Sequence, residues 1–210
     1  MSENSAIQWT DNTRNFWSGC TKVSPGCLHC YAESLSKRNP VTFGKWGKGA
    51  PRSWHGKAAR EDLMKWNTRA AKAKTKLRVF PNSMSDWLDD EVPIQWLADL
   101  LALIQATPHL DWLLLSKRPE NWRARIDATC HGVDHAFNGE KTNLGAWLAS
   151  WLAGRAPANV WIGTSVENQD AADARIPFLL RIPARVRFLS MEPLLGDVHL
   201  GGALYSDYDK

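Results

Sequence analysis

Leu77-Arg-Val-Phe-Pro81, followed at once by Asn82-Ser83-Met84-Ser85-Asp86, sets the architecture of this chain. A short apolar run that ends in small polar residues reads as a strand buried on both faces, feeding a polar loop. The same unit recurs downstream. Trp112-Leu-Leu-Leu-Ser116 runs into Lys117-Arg118-Pro119-Glu120-Asn121, and Asn159-Val-Trp-Ile-Gly163 into Thr164-Ser165-Val166-Glu167-Asn168-Gln169. Val186-Arg-Phe-Leu-Ser190 runs into Met191-Glu192-Pro193, and an earlier strand near Asn15–Ser18 leads into a cysteine-rich loop.

Helical patterns fill the gaps. Leu63, Trp66, Ala70 and Ala73 share one face of a helix over 58–75, and Ile94, Leu97, Leu101 and Ile104 do so over 93–106, with Pro93 in the first turn. Trp147, Leu148, Trp151 and Leu152 mark a third helix, and Ile176, Leu179 and Leu180 a fourth. Strand–helix alternation of this kind predicts an α/β fold with parallel strands joined by right-handed crossovers, hence a barrel or a doubly wound sheet. Residues 39–56 read as a long surface loop and 127–143 as a loop insertion, within a single domain over 1–210.

Bulk composition agrees. The chain has 210 residues, 44% hydrophobic and 23% charged, enough to bury a core and too apolar to be disordered. No apolar run reaches the roughly 18 residues that a membrane helix needs, and Met1–Thr10 is polar, so neither a span nor a signal peptide is expected. A cytoplasmic protein is the expectation, and there clustered cysteines bind metal more often than they form disulfides. The net charge of +4 is uneven: residues 1–80 carry 15 Lys/Arg against 5 Asp/Glu, and the remainder 11 against 17. Trp46, Trp54 and Trp66 interleave with the basic run Lys37–Arg78. Such a stretch either holds a nucleic-acid backbone and stacks on bases, or is a solvated helix face with core tryptophans.

Three of the four cysteines lie within eleven residues: Cys20-Thr-Lys-Val-Ser-Pro-Gly-Cys27-Leu-His-Cys30. Three thiolates on one loop, without a fourth nearby, suit a metal centre that keeps one position open. In parallel α/β folds the strand-to-helix loops converge at the carboxyl ends of the strands, where ligands bind. Five polar loops, the cysteine loop among them, are thereby placed on one rim. Each alone reads as a helix cap; their common rim is what points to a site.

These residues resemble the radical S-adenosylmethionine (SAM) superfamily. Within it they resemble a phage-associated family of unknown function that opens with a Trp-Thr block and a Gly-Cys-Thr-Lys-Val-Ser-Pro-Gly-Cys-x-His-Cys-Tyr-Ala-Glu motif. Trp9-Thr10-Asp11, Trp17-Ser18-Gly19 and Cys20–Glu33 match it. So do Asn82–Asp86, Lys117–Glu120, Ser165–Asn168 and Glu192–Gly196. Six residues separate Cys20 from Cys27, where three is usual, and after Gly196 the chain lacks the strand and helix that normally follow.

The resemblance implies a partial TIM-like (β/α) barrel of parallel strands, incomplete, with about five βα units and a weakly structured tail over 197–210. It implies a 4Fe–4S cluster on Cys20, Cys27 and Cys30, with SAM on the open iron cleaved to a 5′-deoxyadenosyl radical that acts on an unidentified substrate. Ser83, Ser85 and Asp86 would receive the SAM ammonium, Lys117 or Arg118 its carboxylate, and Ser165, Glu167 and Asn168 the ribose hydroxyls. Glu192 would face the substrate. Implied partners are a one-electron donor of flavodoxin or ferredoxin type, a nucleic acid, and a second chain completing the barrel; no membrane is involved.

Two other readings remain open. The three cysteines with His29 or a distant histidine would make a zinc site in a nucleic-acid-binding module, or the short chain would be a non-catalytic relative of the enzyme. Cys130, His131 and His135 form a second small group, read as a solvated loop because of Gly132 and Asp134. If the basic run holds nucleic acid, affinity measured by filter binding or anisotropy falls steeply as salt rises; affinity indifferent to ionic strength would remove that role.

Overall fold

The computed structural model describes residues 3–132 and 143–201. Five strands form one all-parallel sheet: β1 (Asn12–Arg14), β4 (Leu77–Pro81), β5 (Leu110–Ser116), β6 (Val160–Ser165) and β7 (Val186–Ser190), in that spatial order. The order follows the chain without the reversal that a doubly wound sheet requires. β5 and β6 are almost wholly buried, as their continuous apolar runs predict. Between β1 and β4 lie β2 (Trp17–Ser18), α1 (Tyr31–Arg38), α2 (Pro40–Phe43), β3 (Ser53–Trp54) and α3 (Gly56–Lys72). The later crossovers are α4 (Ile94–Ala106), α5 (Trp122–Gly132) with α6 (Leu144–Leu152), and α7 (Gln169–Arg181).

Pleating divides the sheet into two environments. Val79, Trp112, Leu114, Val160 and Ile162 point one way and join Leu63, Trp66, Leu97, Leu101, Leu148 and Trp151 of the helices in the main core. Trp112 is completely buried, and its indole N–H donates to Thr107 Oγ1 at 3.1 Å. Phe80 and Phe188 alternate to the opposite face. There Trp9 bridges them, with ring centroids 4.7 Å and 5.8 Å away, and Phe188 leans over Gly163, where a Cβ would come within 2.4 Å of the ring. Helices therefore cover one face, and the N-terminal segment fills part of the other.

Several expectations need correction. The first strand of the sheet is Asn12–Arg14, while Trp17–Ser18 pairs antiparallel with Ser53–Trp54 in a separate ribbon. This ribbon breaks up the expected 39–56 loop, which also contains α2. Residues 127–132 are the end of α5 rather than an insertion, so Cys130 and His131 sit on a helix; His135 lies outside the described residues. Helix α3 ends at Lys72, leaving Ala73 exposed, and Pro93 caps α4 instead of entering its first turn. Of the proposed tail only 197–201 is described.

The basic run also resolves unevenly. Trp54 and Trp66 pack into the core, whereas Arg52 is buried and paired through Nε and Nη2 with Asp89 Oδ2 at 2.9 and 2.8 Å. Lys57, Lys65 and Lys72 of α3 are exposed. No helix among the described residues is long and apolar enough to cross a membrane. Replacing Trp112 by Ala empties the middle of the sheet–helix core; chemical denaturation should show a loss of about 3–5 kcal/mol, and unchanged stability would contradict this packing.

Candidate functional site

The entrance of the cysteine loop is fixed by the backbone of Gly19, Cys20 and Thr21. Gly19 has φ +105°, a conformation that favours glycine, and a Cβ there would meet Arg52 Cδ at 2.9 Å and the Lys45 carbonyl at 3.1 Å. Its N–H donates to the Met84 carbonyl at 3.2 Å, tying the loop entrance to the loop after β4. The Cys20 carbonyl accepts from Gly47 N at 2.9 Å, and the Thr21 carbonyl from Arg118 Nη2 at 2.6 Å. A single 3-10 turn, Pro25–Cys27, then carries Cys27, and Cys30 is the residue immediately before α1.

Glu167 locks that turn from the far side. Its Oε1 accepts from Ser24 Oγ, its Oε2 accepts from Arg175 Nη1 at 2.6 Å, and its backbone carbonyl accepts from Leu195 N at 2.7 Å. The carboxylate presses on Gly26 so closely that a Cβ there would lie 2.8 Å from Glu167 Cδ. Burial alone would raise this carboxyl's pKa, but the hydrogen bonds and charge of Arg175, with Ser24, hold it below the usual range.

A cavity of about 780 Å³ opens beside the loop. Ten of the twelve expected site residues line it: Cys20, Cys27, Cys30, Ser83, Ser85, Asp86, Lys117, Arg118, Ser165 and Glu192. They come from the cysteine loop, which follows β1 and β2, and from the ends of β4, β5, β6 and β7, so the strand-end loops share one cavity wall. Lys117 Nζ donates to Ser165 Oγ at 2.9 Å across β5 and β6. Ser85 Oγ donates to the Trp17 carbonyl at 3.2 Å, and Tyr31 of α1 donates its hydroxyl to the Ser83 carbonyl at 2.6 Å. Glu192 is exposed. Glu167 and Asn168 do not line the cavity: Glu167 serves the cysteine loop, and Asn168 Oδ1 caps α7 by accepting from Ala171 N at 2.9 Å.

Asp86 and Arg118 are both buried in the cavity wall. Asp86 Oδ1 accepts from Ser116 Oγ at 2.7 Å and Leu88 N at 2.9 Å, while Oδ2 accepts from Lys117 N at 2.9 Å and Arg118 Nη1 at 3.1 Å. Both carboxylate oxygens are thus engaged within the protein. Arg118 is buried, with Nη1 and Nη2 3.7 and 3.8 Å from Cys20 Sγ. Burial opposes the charge on Arg118, yet Asp86 and Cys20 outweigh it and push its pKa up. Burial pushes the Cys20 thiol up to about 12; Asp86 adds to the rise and Arg118 opposes it.

The donor set can be tested against an iron–sulfur centre. The three thiols form no disulfide and face one cavity, and a buried cation stands beside the first of them. Among the described residues, no group of three or more Cys, His, Asp or Glu side chains is gathered to hold a metal ion. A multi-iron cluster makes a different demand, because each thiolate binds its own iron. Asn82 supplies a second indication of a ligand. It is 2% exposed, its Oδ1 accepts from Phe16 N at 2.9 Å, and its Nδ2 on the cavity wall has no partner. A buried amide donor left unpaired is costly, and a ligand acceptor would relieve it.

Sequence reasoning did not single out Asn82, Tyr31, Ser24 or Arg175. Asn82 alone left a trace, as a strand-end Asn that tolerates its φ of +60°. Cys130 and His131 stand apart: Cys130 Sγ donates to the Gly145 carbonyl at 3.4 Å, and His131 Nδ1 lies 2.8 Å from the Asp127 carbonyl.

The Glu167–Arg175 pair has a pH signature. Because the folded carboxyl's pKa is depressed, its stabilisation is complete above the unfolded value of about 4.3 and is lost as pH falls through the lower folded value. Glu167→Gln should cost about 3–5 kcal/mol at neutral pH, with the gap to native protein closing in acid. A gap of constant size from pH 7 to pH 3 in denaturation curves would refute this account.

Residues 4–204 match a family described as Protein of unknown function (DUF5131). No curated protein and no solved structure matches the chain. The match covers nearly the whole chain and takes in every residue of the cavity wall, and the protein therefore belongs to this family of unknown function.

Proposed function

We propose that this chain is a radical-SAM-type iron–sulfur enzyme built on an incomplete, TIM-like (β/α) barrel of five parallel strands. One observation carries the reading: three thiols of a single loop and polar side chains from the four other strand-end loops line one cavity of about 780 Å³. The chain-order strand sequence, with helices on one face, supports the barrel.

In this proposal Cys20, Cys27 and Cys30 hold the 4Fe–4S cluster. When bound, the cluster and SAM supply one-electron reductive cleavage of the sulfonium, and with it hydrogen abstraction from a substrate. The chain's own residues position, shield and orient. Lys117, anchored on Ser165 Oγ, is the cation best placed for the SAM carboxylate, since Arg118 is buried against Asp86 and Thr21. Asp86 has no oxygen to spare, so the ammonium falls to Ser83 and Ser85. Ser165 remains for the ribose, while the Asn82 amide offers its unpaired N–H to an acceptor. Trp9, Phe80 and Tyr31 line the cavity with aromatic surface that excludes water. Exposed Glu192 stands at the mouth, where a substrate would enter. The electron comes from a carrier of flavodoxin or ferredoxin type, and the exposed lysines of α3 favour an anionic, nucleic-acid-like substrate.

The test is anaerobic reconstitution with iron and sulfide, followed by SAM and a low-potential reductant. Native protein should take up a brown cluster and release 5′-deoxyadenosine and methionine. Cys27→Ala should lose most of the iron and cut SAM cleavage by at least about 100-fold, as loss of an essential catalytic group does. Colourless protein that instead binds zinc stoichiometrically would overturn the proposal in favour of a structural metal site.

A further inference from the structure

The Arg118 guanidinium stands beside the first cysteine of the loop. It is 4% exposed, fixed by Asp86 Oδ2 at 3.1 Å and by the Thr21 carbonyl at 2.6 Å, and both terminal nitrogens approach Cys20 Sγ. The Thr21 side chain is held in turn by Arg52 and Glu91, each at 3.0 Å, and Arg52 by buried Asp89 at 2.9 Å. Two arginines and two aspartates thus form a buried frame behind Cys20, and Arg118 is the member whose N–H groups reach the sulfur.

We propose that Arg118 is a positioning residue that sets the reduction potential of the centre held by Cys20, with Asp86 acting on it in the opposite sense. This rests on the iron–sulfur reading above. One electron arrives from the external low-potential carrier, no bond in the chain forms or breaks, and the centre gains one negative charge. A buried cation that donates to the ligating sulfur stabilises the more negative state and so favours reduction. Asp86 opposes this with its own charge but supplies the anchor that keeps the guanidinium in place. Low local dielectric makes both effects larger than they would be at a surface.

The experiment is a redox titration, followed by electron paramagnetic resonance, of anaerobically reconstituted native protein and of Arg118→Gln, Arg118→Lys and Asp86→Asn. Arg118→Gln should lower the ratio of reduced to oxidised centre at a fixed potential by roughly tenfold, which is about 59 mV for a one-electron couple. Arg118→Lys, which keeps the charge but not the planar fork, should fall between native and the Gln variant. Asp86→Asn should shift the ratio upward. Should the Gln variant fail to hold a cluster, the Lys and Asn variants still predict shifts of opposite sign. Coincident potentials in all loaded proteins, or equal shifts in the Lys and Gln variants, would overturn the role of Arg118 and leave the iron–sulfur reading standing. Native protein that holds no iron would overturn both.

Discussion

The pairing of Arg118 with Asp86 ties the sheet to the cysteine loop, and the rest of the site is arranged around it. Asp86 spends four acceptor contacts on Ser116, Leu88, Lys117 and Arg118, binding the loop after β4 to the end of β5. Arg118 then reaches past the strand ends to the Thr21 carbonyl and the Cys20 sulfur. A buried pair of this kind repays its desolvation only when nearly every donor and acceptor is satisfied. Here it is, and the result is a loop whose first cysteine is held in a fixed position by the protein's own contacts. Glu167 and Arg175 do the same for the second cysteine from the end of β6.

These two buried pairs explain the division of labour on the rim. Polar residues that read as ligand contacts in the sequence divide into those whose side chains are taken up in holding the loop and those left to face the cavity. Glu167, Asp86 and Arg118 hold; Lys117, Ser83, Ser85 and Ser165 face the open space. The unpaired Asn82 amide belongs with the second group, since its other end is fixed by Phe16 N. A site in which rigid ion pairs surround a few cavity-facing polar groups is preorganised: it spends folding energy to keep ligand-binding groups in place.

The tryptophans follow a similar logic. Trp17, Trp87, Trp112 and Trp151 are completely buried, and Trp54, Trp66, Trp96, Trp122 and Trp147 pack in or against the same core, so nine of the twelve build the scaffold instead of stacking on a ligand. Trp9 and Trp46 are the exceptions that reach the cavity wall. Of the basic run, Arg52 is buried, while Lys57, Lys65 and Lys72 of α3 and, outside that helix, Arg38, Lys45, Lys48 and Lys74 stay exposed to an anionic partner.

The sequence by itself determined four of the sheet's five strands, their parallel character and the rim; the first strand lies at Asn12–Arg14, ahead of its expected place near Asn15–Ser18. Leu77–Pro81 and Val186–Ser190 appear with their expected bounds, each a short apolar run closed by polar residues, although Val186–Ser190, at the sheet edge, is only partly buried instead of covered on both faces. The three cysteines and the strand-end polar residues shared one cavity for a topological reason: parallel strands put all their loops at one end. Tertiary structure alone decided which polar residues point inward. Pairings such as Ser24 with Glu167, or Cys20 with Arg118, join residues about a hundred or more positions apart, and no local pattern encodes such partners. It also decided the ribbon of Trp17–Ser18 and Ser53–Trp54 and the helical state of Cys130. In both places packing against distant elements overrode the local preference of a glycine-rich or polar segment.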